Sequence, residues 1–174
     1  MAGGFALLER EASEGAWLLG YGESSDAHHM SSPHPEGVGA RLAVQEALQR
    51  SQLSPNDIDY INLHGTPSQR NDEVEARLVA DVFGERTFAS STKGWTGHTL
   101  GAAGIVEAAI TLLALEEGLL PGTLNTNALD ANCGAQIHLE SAQRAVRRAL
   151  SFSFGFGGSN CVLAFGRGDL AVAQ

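Results

Sequence analysis

The stretch IDYINLHGTPSQRNDEVEARLVADVF, residues 58–83, combines the patterns of a strand, a turn and a helix. Ile58–Leu63 is a short apolar run, typical of a buried strand, and it leads directly into His64. Gly65 lets the backbone turn sharply, which leaves the histidine at the mouth of the strand. Asn71–Phe83 repeats valine and leucine at a spacing of four, which indicates an amphipathic helix. These residues therefore predict a βα unit with a histidine at the end of its strand.

Strand and helix patterns alternate on both sides of this unit. Further strands are predicted at Phe5–Arg10, Trp17–Tyr21, Phe88–Ser91, Ile137–Leu139, Ala149–Phe154 and Asn160–Phe165. Further helices are predicted at Val38–Gln52, just after Ser54-Pro55, and at the apolar, small-residue stretch Thr99–Leu115. A turn is expected around Ser13–Gly15 and a polar loop at Ser24–Gly37. This order predicts the α/β fold class, with a mixed β-sheet layered with α-helices.

Length and composition favour one folded domain and exclude several classes of function. The 174 residues are 43% hydrophobic, which is enough for a core, so we expect a single domain over 1–174 with a frayed tail over 167–174. No apolar run reaches the roughly 20 residues of a membrane helix, and no signal-peptide pattern is present. The net charge of −9 argues against nucleic acid as the main partner. Cys133 and Cys161 form no disulfide framework, so a cytoplasmic location is expected.

The first segment with candidate chemistry is His64-Gly65-Thr66-Pro67-Ser68, followed by Asp72 at the start of a helix. In α/β folds, binding sites gather where strands end. A histidine in this position can act on a ligand. It can also be purely structural, capping the strand by bonding to a backbone carbonyl.

The second segment is Ser90–His98, which runs into the apolar helix. Lys93 is the only lysine of the chain, since the ten other basic residues are arginines. A lysine ammonium is compact, and its pKa responds to burial in a way that a guanidinium's does not. Glu107 is a carboxylate within the apolar helix and needs a partner, for which Lys93 is the natural candidate. Such an ion pair can be catalytic or purely structural.

The third segment is the glycine-rich stretch 153–160, SFGFGGSN, between two predicted strands. It lacks the GK[ST] and GxGxxG patterns, and no helix follows, so a phosphate site is disfavoured. Its two phenylalanines indicate a movable apolar wall, and a tight β-hairpin is the alternative. His28, His29 and His34 share a loop without the spacing of a metal site, so we expect no metal.

Together these segments resemble the β-ketoacyl-acyl carrier protein synthases, which are condensing enzymes of the thiolase superfamily. The match is to the elongating type of fatty acid synthesis and of polyketide ketosynthases. It rests on four motifs that follow the family's order at about its spacings, over roughly residues 3–166: SSDAHHMSSP at 24–33, HGT at 64–66 with Asp72, STK at 91–93 with GHTLGAAG at 97–104, and FGFGGSN at 154–160. The resemblance implies the C-terminal, thiolase-like half of such an enzyme, without the half that carries the nucleophilic cysteine.

The resemblance also assigns roles to individual residues. His64 and His98 would be the catalytic pair beside the sulfur, as neutral imidazoles that donate hydrogen bonds to the thioester oxygen. Lys93 would organise the site electrostatically. Supporting roles fall to Glu107 and Asp72, and substrate-binding roles to Thr66, Ser68, Ser31, Phe154 and Phe156, the last as a gate of the acyl pocket.

The implied reaction is a decarboxylative Claisen condensation of an acyl thioester with malonyl-acyl carrier protein, in fatty acid or polyketide synthesis. No bound cofactor is expected, because phosphopantetheine arrives on the acyl carrier protein. Expected partners are that carrier protein and the missing N-terminal half or a second copy in a homo-oligomer. Alone, the chain should be inactive and should expose apolar surface. The alternative is a non-catalytic ketosynthase-like subunit that shapes an acyl tunnel or binds a carrier protein.

Overall fold

The computed structural model of the chain describes residues 2–10 and 15–167. The strands in chain order are β1 (Ala16–Ser25), β2 (Tyr60–Asn62), β3 (Phe88–Ser90), β4 (Leu119–Leu120), β5 (Ala142–Gln143), β6 (Arg148–Phe154) and β7 (Ser159–Arg167). The α-helices are α1 (Val38–Ser51), α2 (Gln69–Phe83), α3 (Lys93–Thr96) and α4 (Ala103–Glu117). Short 3-10 turns lie at Pro55–Asp57, Leu100–Ala102 and Phe156–Gly158.

The main sheet has five strands in the order β1-β7-β6-β2-β3. β2 is parallel to β3 and β6, whereas β7 is antiparallel to both of its neighbours, β1 and β6. β4 and β5 form a separate antiparallel pair. The mixed α/β fold class predicted from the sequence is therefore confirmed. The parallel strands β2 and β3 end at the same edge of the sheet, which brings the segments that follow them together.

Helices cover both faces of the sheet. Alternate residues of a strand point to opposite faces, and β2 shows this alternation. Ile61 packs in the cluster that contains buried residues of α1 and α2. Tyr60 packs in a second cluster with Ala108 and Leu115 of α4. The sheet is thus the middle layer, with α1 and α2 on one side and α4 on the other.

Two of the predicted strands are wrong. Phe5–Arg10 forms no strand, and its side chains Phe5, Leu7 and Leu8 are exposed. A strand needs a neighbouring edge to pair with, and this segment pairs with no strand of the described sheets. Ile137–Leu139 is also not a strand, because only a single bridge joins Ile137 to Ala89 of β3.

Several predicted boundaries also shift. The apolar helix begins at Ala103 rather than Thr99, because a 3-10 turn precedes it, and it continues to Glu117. β1 extends through Ser25, so the polar loop starts at Asp26.

β7 also extends beyond its predicted range. Arg167 pairs with Ala16 and is the last residue of β7 rather than part of a frayed tail. Residues 168–174 and the turn residues 13 and 14 lie outside the described residues. The pair β4–β5 was not predicted.

Large apolar side chains are exposed on the loop after β1, between β3 and α4, on α4 and on the connection between β6 and β7. They include Met30, Trp95, Leu100, Leu113 and Phe156, which are 55–76% exposed. Exposed apolar surface is expected from the sequence for this chain alone, and that these side chains form one continuous patch stays a prediction. No helix within the described ranges is long and apolar enough to cross a membrane.

Candidate active site

His64 lies two residues beyond the end of β2 and is only 7% exposed. Gly65 has a left-handed φ of 49°, and the Ser91 side chain fills the space that a Cβ at this glycine would need. Within the described ranges, the nearest polar partner of the His64 ring is the ammonium of Lys93, 3.5 Å from Nδ1. The ring therefore faces another side chain and does not cap the strand through a backbone carbonyl.

Glu75 of α2 holds the turn at His64, and the sequence analysis missed it. Its carboxylate accepts hydrogen bonds from the backbone N–H of His64 at 2.6 Å and of Gly65 at 2.8 Å. Asn71 donates a third, at 3.0 Å. Burial raises the pKa of Glu75 to about 7. The sequence signal for this role was a carboxylate on the buried face of an amphipathic helix, because a buried carboxylate needs hydrogen-bond donors.

Lys93 is the first residue of α3 and is buried. Its ammonium donates hydrogen bonds to the backbone carbonyl of His64 and to Glu107 Oε1 on α4. The predicted ion pair between Lys93 and Glu107 is therefore present. Burial raises the pKa of Glu107, and the Lys93 charge opposes that shift. Glu107 Oε2 has no hydrogen-bond partner within the described residues.

His98 lies beside His64 although the two are borne on separate loops. Their ring centroids are 5.8 Å apart, and the planes are nearly perpendicular at 81°. The backbone N–H of Leu100 donates to His98 Nδ1 at 3.2 Å. His64 is buried, whereas His98 is exposed. The structure thus brings all three predicted catalytic residues, His64, His98 and Lys93, into one cluster.

The contacts of the two rings favour one tautomer of each ring. An ammonium and a backbone N–H can only donate, so Nδ1 of each ring must accept. Each neutral ring then carries its proton on Nε2. Burial lowers the pKa of His64 to about 3, and the charges of Lys93 and His98 add to the effect. Burial, followed by the charge of Lys93, also lowers the pKa of His98. Both rings are therefore neutral Nε2–H donors at pH 7.

We expect NMR of the histidine-labelled chain to show the Nε2-protonated tautomer for both His64 and His98. Long-range ¹H–¹⁵N correlations distinguish the two tautomers directly. The His64 pattern should persist from pH 8 to pH 5, because its pKa near 3 keeps the ring uncharged there. A His64 ring that becomes protonated above pH 5, or that carries its proton on Nδ1, would refute the assignment.

The predicted substrate-binding residues are less closely grouped. Phe154, at the end of β6, lies with its ring centroid 5.7 Å from that of His64. Phe156 is 76% exposed, at the tip of the connection between β6 and β7. These two strands are antiparallel, so the glycine-rich segment is a hairpin connection. Ser31 is exposed, but its neighbour Met30 accepts a hydrogen bond from Gly157 at 2.8 Å, so the two loops touch.

Thr66 and Ser68 lie on the turn between β2 and α2. Thr66 is half-buried and Ser68 is exposed. The Ser68 hydroxyl accepts a hydrogen bond from the backbone N–H of Asn71 at 3.4 Å, which makes Ser68 the N-cap of α2. Its hydroxyl therefore has a structural partner, whereas the role of both residues in binding stays a prediction.

A cavity of about 560 Å³ opens beside the cluster. Its walls include Asp72, Glu75, Lys93, His98 and Cys133. Asp72 is thus placed at the cavity and not in contact with the ion pair. Burial raises the pKa of the Cys133 thiol, and nearby carboxylates add to the effect.

The thiol is the inert form of cysteine, so Cys133 is poorly suited to act as a nucleophile. Burial also raises the pKa of the Cys161 thiol on β7. Within residues 2–10 and 15–167, no three histidine, cysteine or carboxylate side chains cluster closely enough to hold a metal ion.

Comparison with known proteins gives a consistent set of relatives. The family model for the beta-ketoacyl synthase C-terminal domain matches residues 15–127. A mitochondrial 3-oxoacyl-[acyl-carrier-protein] synthase of Arabidopsis thaliana is 47% identical over 157 residues, which are 86% of this chain and 34% of that protein. A 3-oxoacyl-[acyl-carrier-protein] synthase 2 of Coxiella burnetii is 37% identical over 163 residues, covering 91% of this chain and 39% of that protein.

Solved structures show the same likeness in three dimensions. A ketosynthase from Xenorhabdus doucetiae, solved in complex with its chain length factor, matches with a TM-score of 0.86 and 45% identity. That match covers 91% of this chain and 40% of the other. A beta-ketoacyl synthase from Burkholderia phymatum matches with a TM-score of 0.82 and 37% identity over 87% of this chain and 37% of the other. The chain thus spans little more than a third of the length of these relatives.

Proposed function

Because the chain belongs to the β-ketoacyl synthases and matches their C-terminal domain, we propose that it is the histidine-bearing part of a 3-oxoacyl-acyl carrier protein synthase. The reaction is the condensation of an acyl thioester with malonyl-acyl carrier protein, in fatty acid or polyketide synthesis. We place it in the cytoplasm, as the cysteine usage suggests. The observation that carries the proposal is the pair of adjacent neutral imidazoles above a buried lysine–glutamate ion pair.

The nucleophile comes from the rest of the enzyme, which the chain does not contain. A cysteine thiolate there attacks the acyl thioester and releases the carrier thiol, so the acyl group moves to the enzyme. Malonyl-acyl carrier protein then loses CO₂, and the electron pair of the broken C–C bond forms a thioester enolate. The enolate carbon attacks the acyl carbonyl and expels the cysteine thiolate. The product is a 3-oxoacyl thioester on the carrier.

His64 and His98 act at the step in which the thioester oxygen gains charge. Two Nε2–H groups stabilise the enolate oxygen by hydrogen bonds that strengthen as the charge develops. Their lowered pKa values fit this role, because a neutral ring keeps its Nε2 proton and donates a hydrogen bond to the enolate without transferring that proton to it. A charged His64 would place two cations 3.5 Å apart at Lys93, so the lysine helps to keep the ring neutral.

Lys93 also fixes the geometry of the donors. Its bond to the His64 backbone carbonyl and its approach to Nδ1 hold both ends of that residue. Glu107 balances the ammonium charge, so the buried centre as a whole stays close to neutral.

The surroundings of the site support a missing companion part. Trp95 and Leu100 flank His98 in the sequence, and both are more than half exposed. Phe156 and Met30 are exposed on the two loops that touch each other. Apolar side chains around a reactive centre are expected where another protein surface covers them. We propose that this surface receives the remainder of the synthase, with the acyl carrier protein as a further partner.

A non-catalytic subunit that only shapes an acyl tunnel or binds a carrier protein is not favoured. Such a subunit would need neither histidine and would gain little from burying a charged pair, because removing two charges from water is expensive. Here His64, His98, Lys93 and Glu107 are all present and in contact or adjacent.

The proposal is tested by complementation. The chain is produced alone and together with the amino-terminal portion of the Coxiella burnetii relative, and the pair, if it co-purifies, is the complemented enzyme. With labelled acyl- and malonyl-acyl carrier protein, we expect no condensation and no acyl transfer from the isolated chain, and a 3-oxoacyl product from the complemented enzyme.

A matched control replaces the nucleophilic cysteine of the added portion with alanine, which should abolish product. Stable, stoichiometric acylation of Cys133 or Cys161 in the isolated chain would refute the proposal. So would a co-purified complex that carries an intact cysteine and yet forms no product.

A further inference from the structure

Asn62 is a buried polar residue to which the proposed reaction assigns no role. It is the last residue of β2 and is fully buried, with 0% exposure. Its Oδ1 accepts a hydrogen bond from Thr92 Oγ1 at 3.2 Å. Its Nδ2 donates one to the backbone carbonyl of Glu107, also at 3.2 Å. The amide therefore uses both of its ends, as a buried amide must to avoid a desolvation penalty.

These two bonds connect the three segments that carry the reactive cluster. Asn62 precedes His64 by two residues on the same segment. Thr92 is the residue before Lys93 and the N-cap of α3. Glu107 belongs to α4, and its carbonyl also accepts the Thr111 hydroxyl at 2.8 Å. The Asn62 side chain thus connects the three segments that bear the His64 imidazole, the Lys93 ammonium and the Glu107 carboxylate.

Asn62 is not needed to hold the strands themselves together. β2 pairs with β3 and β6 through backbone hydrogen bonds along its whole length. Tyr60 adds a hydroxyl contact to Ser90 of β3 at 3.2 Å. The contacts of Asn62 instead reach past the strand ends, to Thr92 and to α4. They add a side-chain bond just beyond the paired ends of β2 and β3, and they tie β2 to α4, which the sheet does not join.

We propose that Asn62 is a positioning residue that holds the Lys93–Glu107 ion pair in register with His64. Without the Asn62 amide, the Thr92 hydroxyl loses its hydrogen bond to β2, and the backbone carbonyl of Glu107 loses one of its two side-chain donors. The ammonium then no longer has a fixed place between the His64 carbonyl and the carboxylate. The inference rests on the proposed function only in treating this cluster as the reactive centre.

The single lysine makes the test direct. Lysine labelled with ¹³C gives one side-chain signal, from Lys93, that needs no assignment. In the folded wild-type chain we expect its CεH₂ signal to be displaced from that of a free lysine, with two distinct proton shifts. Asn62→Leu and Thr92→Val should each move it towards the free-lysine position. Thr92→Ser, which keeps the hydroxyl, should leave the Lys93 signal at its wild-type position.

Gln136→Leu is the matched control. Gln136 is also buried, and its amide also donates to a helix carbonyl, that of Ala76 at 3.4 Å, but it bonds to neither Lys93 nor Glu107. Its loss should lower stability and leave the Lys93 signal unchanged. If Asn62→Leu does not fold, Thr92→Val and Thr92→Ser decide the question.

The inference is overturned if the Lys93 signal stays in place in folded Thr92→Val, or if Gln136→Leu displaces it as far. The result is independent of complementation. The Lys93 signal can respond to the variants as expected while the chain forms no product with the added portion. That result would refute the proposed function and leave the role of Asn62 intact.

Discussion

Replacing His64 with alanine in the complemented enzyme is expected to lower kcat for condensation by about 10²–10³-fold, the usual effect of losing one donor to a developing oxyanion. The ring is buried, neutral and held at Nδ1 by Lys93, so its Nε2–H is fixed in advance. Product formation is measured with saturating acyl- and malonyl-acyl carrier protein. Acyl transfer to the added cysteine is measured separately.

His138→Ala is the control for this variant. His138 stacks on Phe88 with the ring centroids 3.8 Å apart, so its loss removes a packed imidazole outside the cluster. We expect its rate to stay within a few-fold of wild type. If His64→Ala retains most of the wild-type rate, or if His138→Ala loses as much, the role given to His64 is wrong.

Replacing Lys93 with methionine is expected to destabilise the isolated chain by about 3–5 kcal/mol at pH 8, because Glu107 is left buried without its partner. The loss should depend on pH. Burial already raises the pKa of Glu107 above its ordinary 4.5, and removing the ammonium raises it further. A carboxyl whose folded pKa is raised stays protonated at low pH without penalty. Stability is then lost as the pH rises from the unfolded pKa to the folded one.

Chemical denaturation at pH 5 and pH 8 measures this effect. The difference between Lys93→Met and wild type should be larger at pH 8. The double replacement Lys93→Met with Glu107→Leu should recover most of the lost stability, because no charge then stays buried. A single variant as stable as wild type at both pH values would show that the pair is solvated and not buried.

The ion pair between Lys93 and Glu107 could be predicted because the sequence around each residue shows that it needs an oppositely charged partner. A single lysine near a glycine-rich turn and a lone carboxylate in an apolar helix each need a partner. His64 follows β2, and His98 follows the short helix α3 that comes after β3, so the pairing of β2 with β3 brings the two segments together. The fold class followed from the alternation of strand and helix patterns in the same way.

The features that were missed depend on contacts distant in the sequence. Glu75 lies on a helix whose pattern predicts only which face is buried, not which backbone N–H groups that face meets. Phe5–Arg10 has the composition of a strand, but whether it becomes one depends on a neighbouring edge. β4 and β5 are two residues long, too short for any periodic signal.

The most direct test of the whole account is a crystal structure of the complemented enzyme with its cysteine intact. We predict that the sulfur contributed by the added portion lies within about 4 Å of Nε2 of both His64 and His98, close enough for hydrogen bonding. A well-packed complex in which that sulfur faces neither ring would contradict the central claim.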